Sequence, residues 1–179
     1  MAPRTVAPIH DGWQFKQADS SKSQWLPVAQ FPTNVHLDLI ANNIIEDPFI
    51  GKNELDCQWV GEAVWSYKAT FETPSELEND VTSKVVLAFD GLDTYATVKL
   101  NGKWILSTES MFIHERIDVT SQLERGFKDE KTTNELEITF ESAYLKGKHL
   151  VEKYPEHKWG CWNGDKSRLA VRKAQYHYV

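Results

Sequence analysis

The clearest pattern in the chain is the stretch VWSYKATFET at 64–73. Trp65, Tyr67, Ala69 and Phe71 fall on one side of a two-residue repeat, and Ser66, Lys68 and Thr70 on the other. Successive strand side chains point to opposite faces, so this alternation predicts a half-buried β-strand. Its apolar members are expected to be more buried than Ser66, Lys68 and Thr70. The same reading applies to NELEITFES at 134–142, where Leu136, Ile138 and Phe140 alternate with Glu135, Glu137, Thr139 and Glu141. DGWQFKQ at 11–17 opens on a turn pair and then alternates, and RIDVT at 116–120 forms another short strand.

Between them, KVVLAFDGLDTYATVKLNGKWILSTES at 84–110 predicts a buried strand at 85–89, a turn at Gly91 and a hairpin. Asn101-Gly102 joins two alternating runs, and a type I′ turn needs positive φ at both central residues. A two-residue loop places Lys99 opposite Trp104 and Val98 opposite Ile105.

Helical patterns are few. FPTNVHLDLIANN at 31–43 predicts a short helix entered through Pro32 and Thr33. AYLKGKHLVEKYP at 143–155 predicts a weaker one, interrupted by Gly147 and stopped by Pro155. The segments 47–54, 76–84 and 157–167 are turn-rich or polar connections. SRLAVRKAQYHYV at the end alternates again, as a strand that stops in mid-pattern.

Many short strands separated by turns predict an all-β fold, an antiparallel jelly-roll β-sandwich of eight strands with one or two short helices. Residues 1–12 form a lead-in and 13–179 one domain.

Composition narrows the function classes. A net charge of −6 without a basic cluster argues against nucleic acid or an anionic membrane as partner. No apolar run is long enough to span a bilayer, and the first residues contain no secretory h-region. No Asn-x-Ser/Thr site occurs, and the two cysteines, Cys57 and Cys161, have no spacing that demands a disulfide. Together these features predict a cytoplasmic protein with reduced thiols.

Seven tryptophans exceed average usage. Most of them are expected in the core, and the excess points weakly to sugar stacking. Asp90 and Asp93 in FDGLDT form a conceivable carboxylate pair, but acidic residues beside a glycine are more often turn formers. His149, His157 and Cys161 lack metal-ligand spacing. From the residues alone no catalytic centre, metal or cofactor emerges.

A resemblance adds to this reading. WVGEAVWSYKATFETP, FDGLDTYATVKLNGK, MFIHERIDVT, HLDLIANNIIEDPFIGKNE and the closing SRLAVRKAQYHY occur in an order and spacing similar to the amino-terminal, galactose-binding-like domain of glycoside hydrolase family 2 β-mannosidases. The likeness runs from about Trp13 to Tyr178 and is nearest the intracellular fungal type. It implies a non-catalytic domain of an enzyme that removes terminal non-reducing β-D-mannose with retention. In that family the RKAQYHY strand runs into a Gly-Trp-Asp-Trp-Gly-Pro motif that holds the terminal mannose. A (β/α)₈ barrel supplies both catalytic glutamates and is the domain's intramolecular partner. No position here matches either glutamate, so the resemblance assigns no catalytic residue. It singles out Arg172, Lys173, Gln175 and Tyr176 as edge residues leading towards the sugar contact, expected close to WGCWNGD. The alternative is a stand-alone carbohydrate-binding or interaction module, inactive as a hydrolase in either case.

Overall fold

The structure, a computed structural model, describes residues 5–74, 77, 82–125, 132–161 and 163–173. Eight strands are present among them: β1 (Gln14–Gln17), β2 (Leu26–Pro27), β3 (Trp65–Glu72), β4 (Val86–Phe89), β5 (Tyr95–Leu100), β6 (Lys103–Thr108), β7 (Glu115–Asp118) and β8 (Thr133–Glu141). Six of them form an antiparallel sheet in the order β2-β1-β3-β8-β5-β6. The other two, β4 and β7, pair antiparallel as a second layer.

The alternation in β3 and β8 is what builds the core. The register pairs Trp65 with Phe140, Tyr67 with Ile138 and Ala69 with Leu136, so the apolar faces of the two strands coincide. From β5, Ala96, Val98 and Leu100 continue the same face beside Phe140, Ile138 and Leu136. Leu87 and Phe89 of β4 pack onto this layer from the opposite side, and Ile117 of β7 joins Leu100 and Val119 in a satellite cluster.

One residue departs from the expected burial order. Ser66 is 2% exposed, less than Trp65 at 7% or Tyr67 at 8%. The sheet is not inverted, because Lys68 stays half-buried and Thr70 exposed. Ser66 is small, sits in an interior strand and shares a 2.7 Å hydroxyl hydrogen bond with Thr139 of β8.

At the hairpin, Asn101 and Gly102 take φ of 51° and 74° as the turn requires. Lys99 does face Trp104, but Val98 faces Leu106 rather than Ile105 because a bulge separates Val98 from Lys99. The Asn101 side chain donates to Asn134 Oδ1 at 2.8 Å and accepts from the Glu135 amide at 2.9 Å. The fully buried Asn134 in turn donates to the Thr73 hydroxyl at 2.8 Å. This satisfied polar network locks the hairpin turn to β8.

The helices also differ in detail. Helix α1 spans Val35–Ala41, later than Pro32 and Thr33 suggested, because the Asn34 side chain caps it by accepting from the Leu37 amide. A four-residue helix, α2 (Asn53–Asp56), and a 3₁₀ turn at Gln58–Gly61 replace what reads as loop. Helix α3 (Ala143–Lys153), capped by Ser142, runs straight through Gly147. A Cβ at Gly147 would lie 2.3 Å from the Ser167 carbonyl oxygen, so glycine here admits a neighbouring segment and does not break the helix. That segment is a 3₁₀ turn, Ser167–Leu169, where a strand was expected. Its backbone packs on α3, with the Ser167 carbonyl against Gly147, and Leu169 lies beside Gly160 of the preceding loop. The rest of the expected strand, 174–179, lies outside the described residues.

Candidate functional site

At one end of the sandwich three pieces of chain converge: the β4–β5 loop, the β6–β7 loop and the segment Val171–Lys173. The two loops approach so closely that a Cβ on Gly91 would sit 2.6 Å from the Met111 carbonyl oxygen. Val171 is buried. Next to it, Lys173 Nζ lies 3.5 Å from Asp93 Oδ2, and the Thr94 hydroxyl also donates to the Asp93 carboxylate. The Arg172 guanidinium sits 5.7 Å from the centre of the Phe112 ring, a cation–π arrangement. His114 Nδ1 is 3.6 Å from Asp90 Oδ1 on the exposed rim.

His36, at the start of α1, feels the same cluster. Burial pushes its imidazole below the ordinary value, and the Lys173 charge adds to that. Two residues on, Asp38 is fully buried and accepts from Tyr67 Oη at 2.8 Å and Thr33 Oγ1 at 2.9 Å. Burial raises the Asp38 carboxyl, and the three hydrogen bonds it accepts, one from the Ala29 backbone, oppose that rise. Burial, and then the charge beside it, drive Tyr67 far upwards, which keeps its hydroxyl a donor. The pair fastens α1 to the middle of β3.

Arg172 and Lys173 are therefore gathered with Asp93 and Phe112. Gln175 and Tyr176 lie outside the described residues. Asp93 is engaged by the Lys173 ammonium and the Thr94 hydroxyl, as a loop-pinning carboxylate is, whereas Asp90 lies beside the His114 imidazole on the exposed rim. The loop around WGCWNGD makes its described contacts with α3 and the 3₁₀ turn. Burial disfavours the charged Asp165 carboxyl, but the Ser167 amide, the Tyr144 hydroxyl and Arg168 together hold it below its ordinary value. Trp159 Nε1 donates to the Tyr154 carbonyl oxygen at 3.0 Å.

His36, Phe112 and His114 were not singled out from the sequence. The only signal for the second was the apolar pair Phe112-Ile113 in a loop, where both side chains are exposed.

The tryptophans divide clearly. Trp13 and Trp65 are core residues. Trp25 is covered by Lys16 and Lys68, whose ammonium groups lie 4.6 and 4.5 Å from its ring centre. Trp104 on β6 is 64% exposed and donates its indole N–H to Ser107. Trp162 lies outside the described residues. Among the described residues no group of three or more His, Cys, Asp or Glu side chains is placed to hold a metal.

Comparison with known proteins sets this arrangement in context. Beta-mannosidase B of Thermothelomyces thermophilus is 58% identical over 178 residues, which is 99% of this chain and 20% of that protein. Its counterpart in Aspergillus terreus is 50% identical over 168 residues, 93% of this chain and 19% of that one. The chain thus spans about a fifth of the length of the curated relatives it matches. Among solved structures, the β-D-mannosidase of Dictyoglomus thermophilum superposes with a TM-score of 0.79 at 35% identity, over 95% of this chain and 19% of that chain. An exo-chitosanase of Amycolatopsis orientalis shares the fold, with a TM-score of 0.60 at 20% identity, over 75% of this chain and 16% of its own. The model of the glycosyl hydrolase 2 galactose-binding domain-like family matches residues 13–179. With nearly the whole length matched and the six-and-two sandwich in place, the chain belongs to the galactose-binding domain-like family of glycosyl hydrolase 2.

Proposed function

We propose that this chain serves as a non-catalytic domain of a β-mannosidase that hydrolyses terminal non-reducing β-D-mannose residues. The observation that carries this reading is the 58% identity to a β-mannosidase across 99% of the chain. In this reading the acid/base and nucleophilic carboxylates that retaining hydrolysis needs come from a barrel elsewhere in the longer protein, and the domain docks against that barrel. Arg172 and Lys173 anchor the segment that leads, through Gln175 and Tyr176, towards the sugar. The Lys173–Asp93 pair and the Arg172–Phe112 stack hold that segment against the end of the sandwich. The protein works in the cytoplasm; the buried free Cys57 and exposed free Cys161 fit a reducing compartment.

The test is an assay of two chains, the 179-residue protein and the longer natural protein that contains it, on an aryl β-mannoside. The longer protein is expected to turn over and the 179-residue chain to stay at background. Turnover by the purified 179-residue chain, free of host mannosidase, would overturn the assignment.

A further inference from the structure

The core absorbs only part of the tryptophan excess. Trp104, on β6, is 64% exposed. It lies opposite Lys99 of β5, whose strand neighbours Val98 and Leu100 are fully buried. Trp104 therefore projects from the outer face of the six-stranded sheet. β6 ends that sheet, which leaves one flank of the indole open. This is the hairpin end of β5, opposite to the β4–β5 loop that meets Lys173.

A bulge fixes the indole. In an uninterrupted strand, positions 104 and 107 would project to opposite faces. Here Lys99 pairs with Trp104 and Val98 with Leu106, so Ile105 is an extra residue and Ser107 returns to the outer face opposite Thr97. The indole N–H donates to Ser107 Oγ at 3.0 Å. That bond occupies the ring's one donor and sets its orientation, so what remains on offer is an apolar plate.

Charged groups stand beside the plate. Across the sheet the register runs from Trp104 to Lys99 to Glu137. Lys99 is exposed and Glu137 half-buried. Among the described residues the Lys99 ammonium and the Glu137 carboxylate form no ion pair, with each other or with a neighbour, whereas Glu135 on the same strand is taken by Lys68 at 3.7 Å.

We propose that Trp104, Lys99 and Glu137 form a binding site for a neutral oligosaccharide. The C–H face of a pyranose covers the indole. Its hydroxyls accept from Lys99 and donate to Glu137, because one hydroxyl can do either. Other occupants fit less well. A protein surface would desolvate both charges, and interface cores are poor in lysine and glutamate. A nucleic acid would meet Glu137 as a like charge. The sugar is a β-linked mannoside, and that choice alone rests on the proposed function.

Titration of the 179-residue chain with mannohexaose, followed by NMR at the indole N–H signals, tests the site. The dispersion of those signals reports folding in the same spectrum. The Trp104 signal is expected to shift saturably in the roughly millimolar range. In calorimetry, Lys99→Met and Glu137→Gln should each weaken binding about three- to tenfold. Trp104→Ala should abolish it with little change in melting temperature, because the side chain is exposed. A Trp104 signal that stays in place, or binding that survives Trp104→Ala, would overturn the proposal. So would broadening of that signal with protein concentration before sugar is added, because the occupant would then be a second copy. In the longer natural protein, Trp104→Ala should reduce retardation in a gel containing soluble galactomannan, and equal retardation would overturn the proposal likewise. Saturable binding of cellohexaose in place of mannohexaose would uphold the site and count against the β-mannosidase reading.

Discussion

Tyr67 shows how much one side chain can settle. Its hydroxyl donates to the buried Asp38 carboxylate, which holds a helix to a sheet across 29 positions of sequence. Tyr67→Phe keeps the ring and leaves a buried acceptor short of a donor, so it should cost about 1–3 kcal/mol of stability by denaturant titration. A loss below 0.5 kcal/mol, within the range of ordinary surface changes, would show that Thr33 and Ala29 suffice. His36 predicts a pH effect of definite sign. Its folded-state value lies below the ordinary 6.5, so the unfolded chain takes up the proton first as pH falls. Stability therefore declines as pH drops below about 6.5. Asp38 acts oppositely: burial raises its carboxyl above the ordinary 3.8, so its contribution falls as pH rises from there. The part of the slope below pH 6.5 that comes from His36 should be lost in His36→Gln. Lys173→Met should move the imidazole titration, followed by NMR, back towards its ordinary value. No upward movement in that variant would discount the Lys173 charge.

At the scale of elements, Gly147 reverses the usual rule. Within an exposed helix, Gly→Ala generally stabilises by up to about 1 kcal/mol. Here the new Cβ meets a backbone oxygen of the 3₁₀ turn at 2.3 Å, and neither partner is a flexible side-chain end. Gly147→Ala should therefore destabilise by about 1–3 kcal/mol, the range of overpacking. A raised melting temperature would mean that the turn yields without cost. Helix capping, by contrast, follows from neighbours in the chain. Asn34 and Ser142 each cap their helix with a side-chain oxygen.

Across the whole molecule, several large apolar side chains lie exposed among the described residues. Phe49, Ile50 and Leu55 crowd a single stretch, at 74%, 63% and 63% exposure. Apolar patches of this kind mark contact surfaces, and they promote association when uncovered. A Phe49→Asp, Ile50→Lys double variant should reduce concentration-dependent light scattering of the 179-residue chain. The melting temperature should shift little, because neither residue is buried. Unchanged scattering would place the sticky surface elsewhere.

The sequence by itself determined what depends on near neighbours. Two-residue alternation identified the core faces of β3 and β8, Asn101-Gly102 set the hairpin, and the quoted motifs carried the family resemblance. Tertiary structure decided what depends on distant partners. The Val98 bulge, the burial of Ser66 beneath a bond to Thr139 and the fit of Gly147 to Ser167 all involve contacts that no local window contains. The closing segment is the sharpest case. Its alternation reads as strand, yet Ser167–Leu169 forms a 3₁₀ turn packed on α3, a partner that lies outside any local window. The convergence of Arg172 and Lys173 on Phe112 and Asp93 follows for the same reason. Residue type sets what a side chain can bond to, but only the path of the folded chain brings the partner within reach.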